Sequence, residues 1–367
     1  MLGAAFTLSR PADAIPVFAH RYGLTCQACH TVVPHLTPFG ERFLANGYRL
    51  PGQRAKPAFP VAVRVETAYA SGGADPASAP LPKTIVDEVE LLTGGSLGTR
   101  GSYWAEVYAV DGGEPGRPRD VWAAWRATPD GARTPVTLRA GEFTLPLPLD
   151  PETFRETTQH NAIWDQTAGD NPFTFFATKI GGQIVLGDPA RALAATLSLV
   201  QGHDTASGLP AHATDTMLTV RRELGDVTLQ AYRYDGSRLL HGAGYRGYPT
   251  ATYSDRFWRE GAGVGWTRGA TQVDAVYQNG NDRAADIDGD ALQTSGGFVQ
   301  VRHDLGPRAF AIARWDATHD AGFARTITAG GGVRFSRNTR LTLFDTGERD
   351  EAGRLIHVIS SSLLFAL

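Results

Sequence analysis

The chain has 367 residues, a formal net charge of −3, 42% hydrophobic and 20% charged residues, and two cysteines. The near-balanced charge argues against a nucleic-acid partner, and no apolar run approaches the ~20 residues that a membrane-spanning helix needs. A transmembrane β-barrel stays open, because its polar lumen face dilutes the average; 42 glycines and 10% aromatics suit an all-β chain with many turns.

The first segment, 1–14, reads as the tail of an export signal. An apolar stretch over 2–8 is followed by Ala12-Asp13-Ala14, an A-x-A cleavage pattern, although a positive n-region is missing. Next, 15–57 is expected to be a small monohaem cytochrome c module. It carries Cys26-Gln27-Ala28-Cys29-His30, the C-x-x-C-H pattern for covalent haem c. Two thiols at this spacing can both bond one porphyrin, and His30 follows as the proximal iron ligand. A redox disulfide wants a βαβ context that is missing, and a zinc site would need a fourth ligand from His20 or His35. The position opposite His30 is open between His20, His35, a barrel residue and no ligand at all; Met217, expected on the lumen side with Thr219, is the barrel methionine. Pro34, Phe39, Phe43 and Tyr48 are candidate haem-edge contacts. A short helix is expected over 41–46, with Asn46-Gly47 as its cap, and Pro51-Gly52 and Pro57 form a linker. Some forty residues are too few for an independent core, so the module needs something to pack against.

From 58 to 367 the pattern alternates with period two, the signal of strands with one apolar face. Val61, Val63 and Val65 alternate with Ala62, Arg64 and Glu66; Val299 and Val301 alternate with Gln300 and Arg302. Sixteen segments are expected, starting near 59, 84, 101, 120, 134, 178, 191, 215, 226, 257, 270, 296, 308, 325, 339 and 355. Short turns are expected at Gly94-Gly95, Pro129-Asp130-Gly131, Gly187-Asp188-Pro189, Gly225-Asp226, Gly269, Gly306-Pro307 and Arg337-Asn338. Longer connections fall at about 71–83, 111–119, 145–177, 203–214, 235–256 and 280–295. Short turns on one side and long loops on the other imply an antiparallel transmembrane β-barrel of about sixteen strands. A soluble all-β domain gives no reason for that asymmetry. The even count puts both barrel ends on the short-turn, periplasmic side. Trp122, Trp125, Trp258 and Trp266 near strand ends suit interfacial girdles. The acidic run 286–290 reads as a solvated loop or a weak cation site, and His203, Asp204, His212 and Asp215 form a similar weak cluster.

The run from Ile15 to His30, with Pro34, Leu36, Phe39-Gly40, Phe43 and Asn46-Gly47-Tyr48, resembles the fused monohaem cytochrome–porins of the bacterial outer membrane, best known as iron(II) oxidases. Thr37 stands where that pattern has Asn, and His20 where it has another basic residue. The resemblance implies a haem module at the barrel mouth and electron passage from an extracellular donor such as Fe²⁺ to a periplasmic c-type cytochrome. It thus implies an iron(II):cytochrome c oxidoreductase in contact with outer-membrane lipid. The alternatives are a diffusion porin with a structural haem plug, and a soluble periplasmic electron carrier with a β domain.

Overall fold

The computed structural model describes residues 17–24, 26–32, 35–50, 61–71, 83–129, 132–149, 157, 160–188, 193–204, 210–242, 251–285, 289–319, 323–336, 339–349 and 354–366. The export-signal expectation for 1–14, Pro34, most of the acidic run at 286–290 and the Arg337-Asn338 turn lie outside them. So do the side chains of His20, Cys26 and His35.

Sixteen long strands form a closed barrel: β1 Ala62–Ala70, β2 Lys83–Leu97, β3 Gly101–Asp111, β4 Pro118–Arg126, β5 Val136–Phe143, β6 Lys179–Gly187, β7 Leu193–Asp204, β8 Pro210–Leu224, β9 Val227–Gly242, β10 Ala251–Arg268, β11 Thr271–Asp282, β12 Leu292–Asp304, β13 Ala309–His319, β14 Phe323–Arg334, β15 Thr339–Arg349 and β16 Leu355–Ala366. The two-residue pairing at Glu114–Pro115 belongs to the β3–β4 connection. Each strand pairs antiparallel with its neighbour, and β16 closes on β1 in the register Phe365↔Val65.

Alternation sets which face is wet. Along β12, Thr294, Phe298, Gln300 and Arg302 are buried towards the lumen, while Val299 and Val301 point outward, each 41% exposed. Leu138, Ile184, Leu218, Val264, Ile327 and Leu343 are likewise exposed, whereas Gln183, Ser198, Gln230, Gln278, Thr328 and Thr342 are buried. Apolar outside and polar inside is the inverse of a soluble domain and fits a barrel in lipid. The soluble β-domain alternative fails on this point. On β10, outward-facing Trp258 and Trp266 lie eight residues apart, about 20 Å along the barrel axis at ordinary strand rise and tilt, near the height of an apolar band. Among the described residues, no helix is long and apolar enough to cross a membrane.

Connections alternate in length. At one end they are 98–100, 127–135, 188–192, 225–226, 269–270, 305–308 and 335–338; at the other, 71–82, 112–117, 144–178, 205–209, 243–250, 283–291, 320–322 and 350–354. Gly98, Gly225 and Gly269 take positive φ in the tightest turns, which glycine tolerates. The start of β1 and the end of β16 both lie at the short-turn end.

Three expectations are corrected. Gly94-Gly95 is no turn but lies inside β2, and the turn follows at 98–100. The expected 235–256 connection is mostly strand, because β9 and β10 stay paired out to Gly242↔Ala251, where polar residues erase the alternation. Trp122 is no girdle residue: it is buried on the inner face.

Candidate functional site

The N-terminal module folds as α1 (Val17–Tyr22), α2 (Cys26–Cys29), a two-strand ribbon (His30–Val32 with His35–Leu36) and α3 (Pro38–Ala45). α2 sets positions 26 and 29 three residues apart, on one helical face, with His30 immediately after. Thr37 fixes the end of α2. Its backbone N–H donates to the Cys29 carbonyl at 2.8 Å and its hydroxyl donates to the Ala28 carbonyl at 2.7 Å. The same hydroxyl accepts from Gly40 N–H at 3.1 Å, capping α3, and Pro38 pre-sets the first turn. A side chain at Gly40 would collide with the Cys29 carbonyl, so glycine permits the close approach of α3 to α2. α3 ends as expected at Asn46-Gly47: Gly47 N–H bonds Leu44 O and Tyr48 N–H bonds Phe43 O, a Schellman pattern. Its start at Pro38 is earlier than the expected 41.

The module packs inside the short-turn half of the barrel. Phe18 stacks on Tyr48 at 4.4 Å and 17° and meets Phe43 edge-on at 5.1 Å. Tyr48 in turn stacks on Trp122 of β4 at 6.2 Å, and Trp104 of β3 lies 6.3 Å from Phe18. Tyr48 has φ of 62°, an uncommon conformation for a non-glycine residue, and is held there by full burial among these rings. Burial pushes the phenols of Tyr48 and Tyr22 up, so both stay neutral in ordinary buffers, and the Tyr22 hydroxyl donates to the Tyr48 carbonyl at 2.8 Å. Arginines bind backbone carbonyls across the contact: Arg21 to Gly94 at 3.2 Å, Arg49 to Gly101, and Arg126 to Ala45 at 3.2 Å. Across the lumen, Arg221 of β8 pairs with Glu41 of α3 at 3.1 Å. The module therefore bridges the β2–β4 wall and β8.

The 144–178 connection folds into the lumen from the other end. Its short helix α4 (Ala162–Asp165) buries Ile163 and Trp164, and Trp164 meets Phe175 and Phe298 edge-on near 6 Å. Phe173 packs on Tyr234 at 4.7 Å and Phe257 at 4.8 Å. Asn171, fully buried, donates to Asp255 and Asp282 at 2.8 Å each. Pro148 lies over the β10 backbone at Gly263, where a side chain would clash. One contiguous apolar cluster joins Phe43 and Tyr48 of the module, Trp122 of the wall, and Leu145, Trp164 and Phe173 of this connection, with Cys29 packed at its edge.

Among the expected site residues, Cys29 is a half-buried thiol, and His30 and Phe39 are half-buried. Phe43 and Tyr48 are buried, and the Phe39 ring lies parallel to Phe43 at 6.4 Å. Met217 is fully buried in the shared cluster, on the expected lumen side, with Thr219 donating to the Pro146 carbonyl at 3.2 Å. Asp215 pairs with Arg238 at 2.5 Å, and the side chains of His203, Asp204 and His212 lie outside the described residues. No group of three His, Cys, Asp or Glu able to hold a metal occurs among the described residues. Sequence reasoning missed Gly94, Trp104 and Arg221 as docking positions.

The architecture is that of a sixteen-stranded porin-type barrel. The chain is similar in structure to an anion-selective porin from Comamonas acidovorans, with a TM-score of 0.63, 12% identity, and coverage of 84% of this chain and 98% of that one. Salmonella typhi OmpF in complex with daunomycin matches with a TM-score of 0.58, 12% identity, and coverage of 84% and 97%. The outer membrane channel DcaP of Acinetobacter baumannii matches with a TM-score of 0.56, 11% identity, and coverage of 84% and 96%. No protein-family model matches the chain, and no curated protein does.

Proposed function

We propose that this chain is an outer-membrane barrel that passes electrons from an extracellular donor, Fe²⁺ being the first candidate, through one covalent haem c to a periplasmic c-type cytochrome. The observation that carries this reading is the position of the C-x-x-C-H segment: Cys29 packs at the edge of the apolar cluster inside the barrel. The residues fit the group. Positions 26 and 29 share a helix face, Cys29 is a thiol at an aromatic cluster, and His30 follows directly. Cys26 and Cys29 would hold it covalently and His30 would be its proximal ligand, with His20 the first distal candidate; bound there, it supplies a one-electron centre. Thr37 and Gly40 fix the helix that bears Cys29, and Phe18, Phe43 and Tyr48 belong to the apolar cluster on which Cys29 packs. In this reading 15–57 is the haem module, 58–367 the barrel, and both barrel ends face the periplasm.

The likeness to porins favours a second reading more directly, a diffusion channel in which the module is a structural plug. Two measurements separate them. Haem-stained outer-membrane preparations mixed with Fe²⁺ in a stopped-flow cell should show haem reduction if the conduit reading holds. Planar-bilayer conductance at porin levels, with no haem reduction, would favour diffusion.

A further inference from the structure

Charge is spread unevenly along the barrel axis. By sequence, the connections at the long-loop end hold thirteen acidic residues against five arginines, while those at the short-turn end hold three against five. The 15–57 segment adds five cationic residues against Glu41 alone. By sequence, the long-loop connections are thus net negative and the short-turn connections net positive. In the wall itself, Arg238, Arg259 and Arg314 are matched by Asp215, Asp282 and Asp316, so these pairs add little net field. At the short-turn end, Arg100, Arg133, Arg222, Arg268 and Arg308 are exposed, each from a different turn or strand end. Two large apolar side chains stand out beside them on the turns, Leu305 at 64% and Phe335 at 61% exposure. Arginine interleaved with exposed apolar groups is the composition of a protein-docking face.

We propose that the short-turn face is a docking surface for an acidic soluble protein, with the module at its centre. The identity of what is exchanged rests on the conduit reading; the binding does not. Anionic lipid headgroups could meet the outer rim, but Arg21 and Arg49 of the module lie within the barrel circumference, where they bond carbonyls of the inner wall. Lipid does not reach them there, which favours a protein. Opposite charge on such a face raises association rates by tenfold or more and is screened by salt.

The test uses the full haem-loaded chain in nanodiscs of zwitterionic lipid, with an acidic flavodoxin and a basic cytochrome c as probes in surface plasmon resonance. The flavodoxin should bind at least about tenfold tighter than the basic probe at low salt, and lose that advantage at high salt. The variant R100E/R133E/R222E/R268E/R308E should lose about tenfold in flavodoxin affinity. Folding is checked by heat-dependent gel migration, and R100E/R308E serves if the larger variant does not fold. Equal binding of both probes, or no change on charge reversal, would overturn the proposal. So would a variant that loses affinity only for phosphatidylglycerol vesicles. Haem absorbance is followed separately: docking without electron exchange would remove the conduit and leave the docking face, whereas exchange without salt-sensitive docking would do the reverse.

Discussion

Two bodies occupy the lumen; both pack aromatic rings on the wall, and they differ in how much buried polar bonding is added. The 144–178 connection is tethered by strands at both ends and is locked by buried polar bonds: Asn171 to two aspartates, Gln166 to the carbonyls of Ser295 and His319, and Arg314 to the His160 carbonyl. The module enters from one end of the chain and docks through stacked rings and arginine-to-carbonyl bonds, with one ion pair to the far wall. Buried bonds among charged groups are costly to break singly, whereas ring stacking is forgiving of small shifts. The inserted connection thus reads as part of the barrel. The module reads as a separate piece fitted to it, as expected of a forty-residue segment that cannot make its own core.

The largest effect should come from the module's chemistry. Cys26→Ala/Cys29→Ala should abolish the haem stain while the barrel still folds and shifts on heated gels; loss of that heat-dependent shift would break the division between the two bodies. Trp164→Ala should strike the barrel instead. Emptying that fully buried site should lower stability by about 3–5 kcal/mol in urea unfolding and leave haem content unchanged. A loss of haem there would mean that the two bodies fold as one.

Smaller effects sharpen the comparison. Arg221→Ala removes the strut to Glu41. Both side chains are about four-fifths buried and Glu223 also loses its partner at 2.7 Å, so the cost should be about 1–3 kcal/mol, with the module's amides exchanging faster and those of 160–178 unchanged. Thr37→Ala removes a helix cap and the tie to Ala28, and should cost about 1 kcal/mol, read as faster hydrogen exchange over 38–45.

How much of this was legible from sequence differs between the bodies. Barrel strands announce themselves because lipid and lumen demand opposite side chains at successive positions, so β3, β15 and β16 begin where alternation begins, at Gly101, Thr339 and Leu355. The pattern fails where neither face meets lipid. β8 and β10 start at Pro210 and Ala251, ahead of the expected 215 and 257, because their outer ends are paired but polar. The inward fold of 144–178 left no periodic trace, since Phe173 and Trp164 answer to partners far away in sequence. In the module, C-x-x-C-H and the Asn46-Gly47 stop are local signals and could be read directly. Docking could not, because Gly94, Trp104 and Trp122 look like ordinary turn, strand and girdle residues until Phe18 and Tyr48 are laid against them.

The central claim is that the segment at Cys29 carries electrons across a lumen that it shares with the 144–178 connection. Liposomes holding the full chain, with an oxidised acidic c-type cytochrome trapped inside and Fe²⁺ added outside, test this most directly. The account predicts reduction of the trapped cytochrome by the haem-loaded chain and none by Cys26→Ala/Cys29→Ala. Equal reduction with both proteins, or none with either, would contradict it.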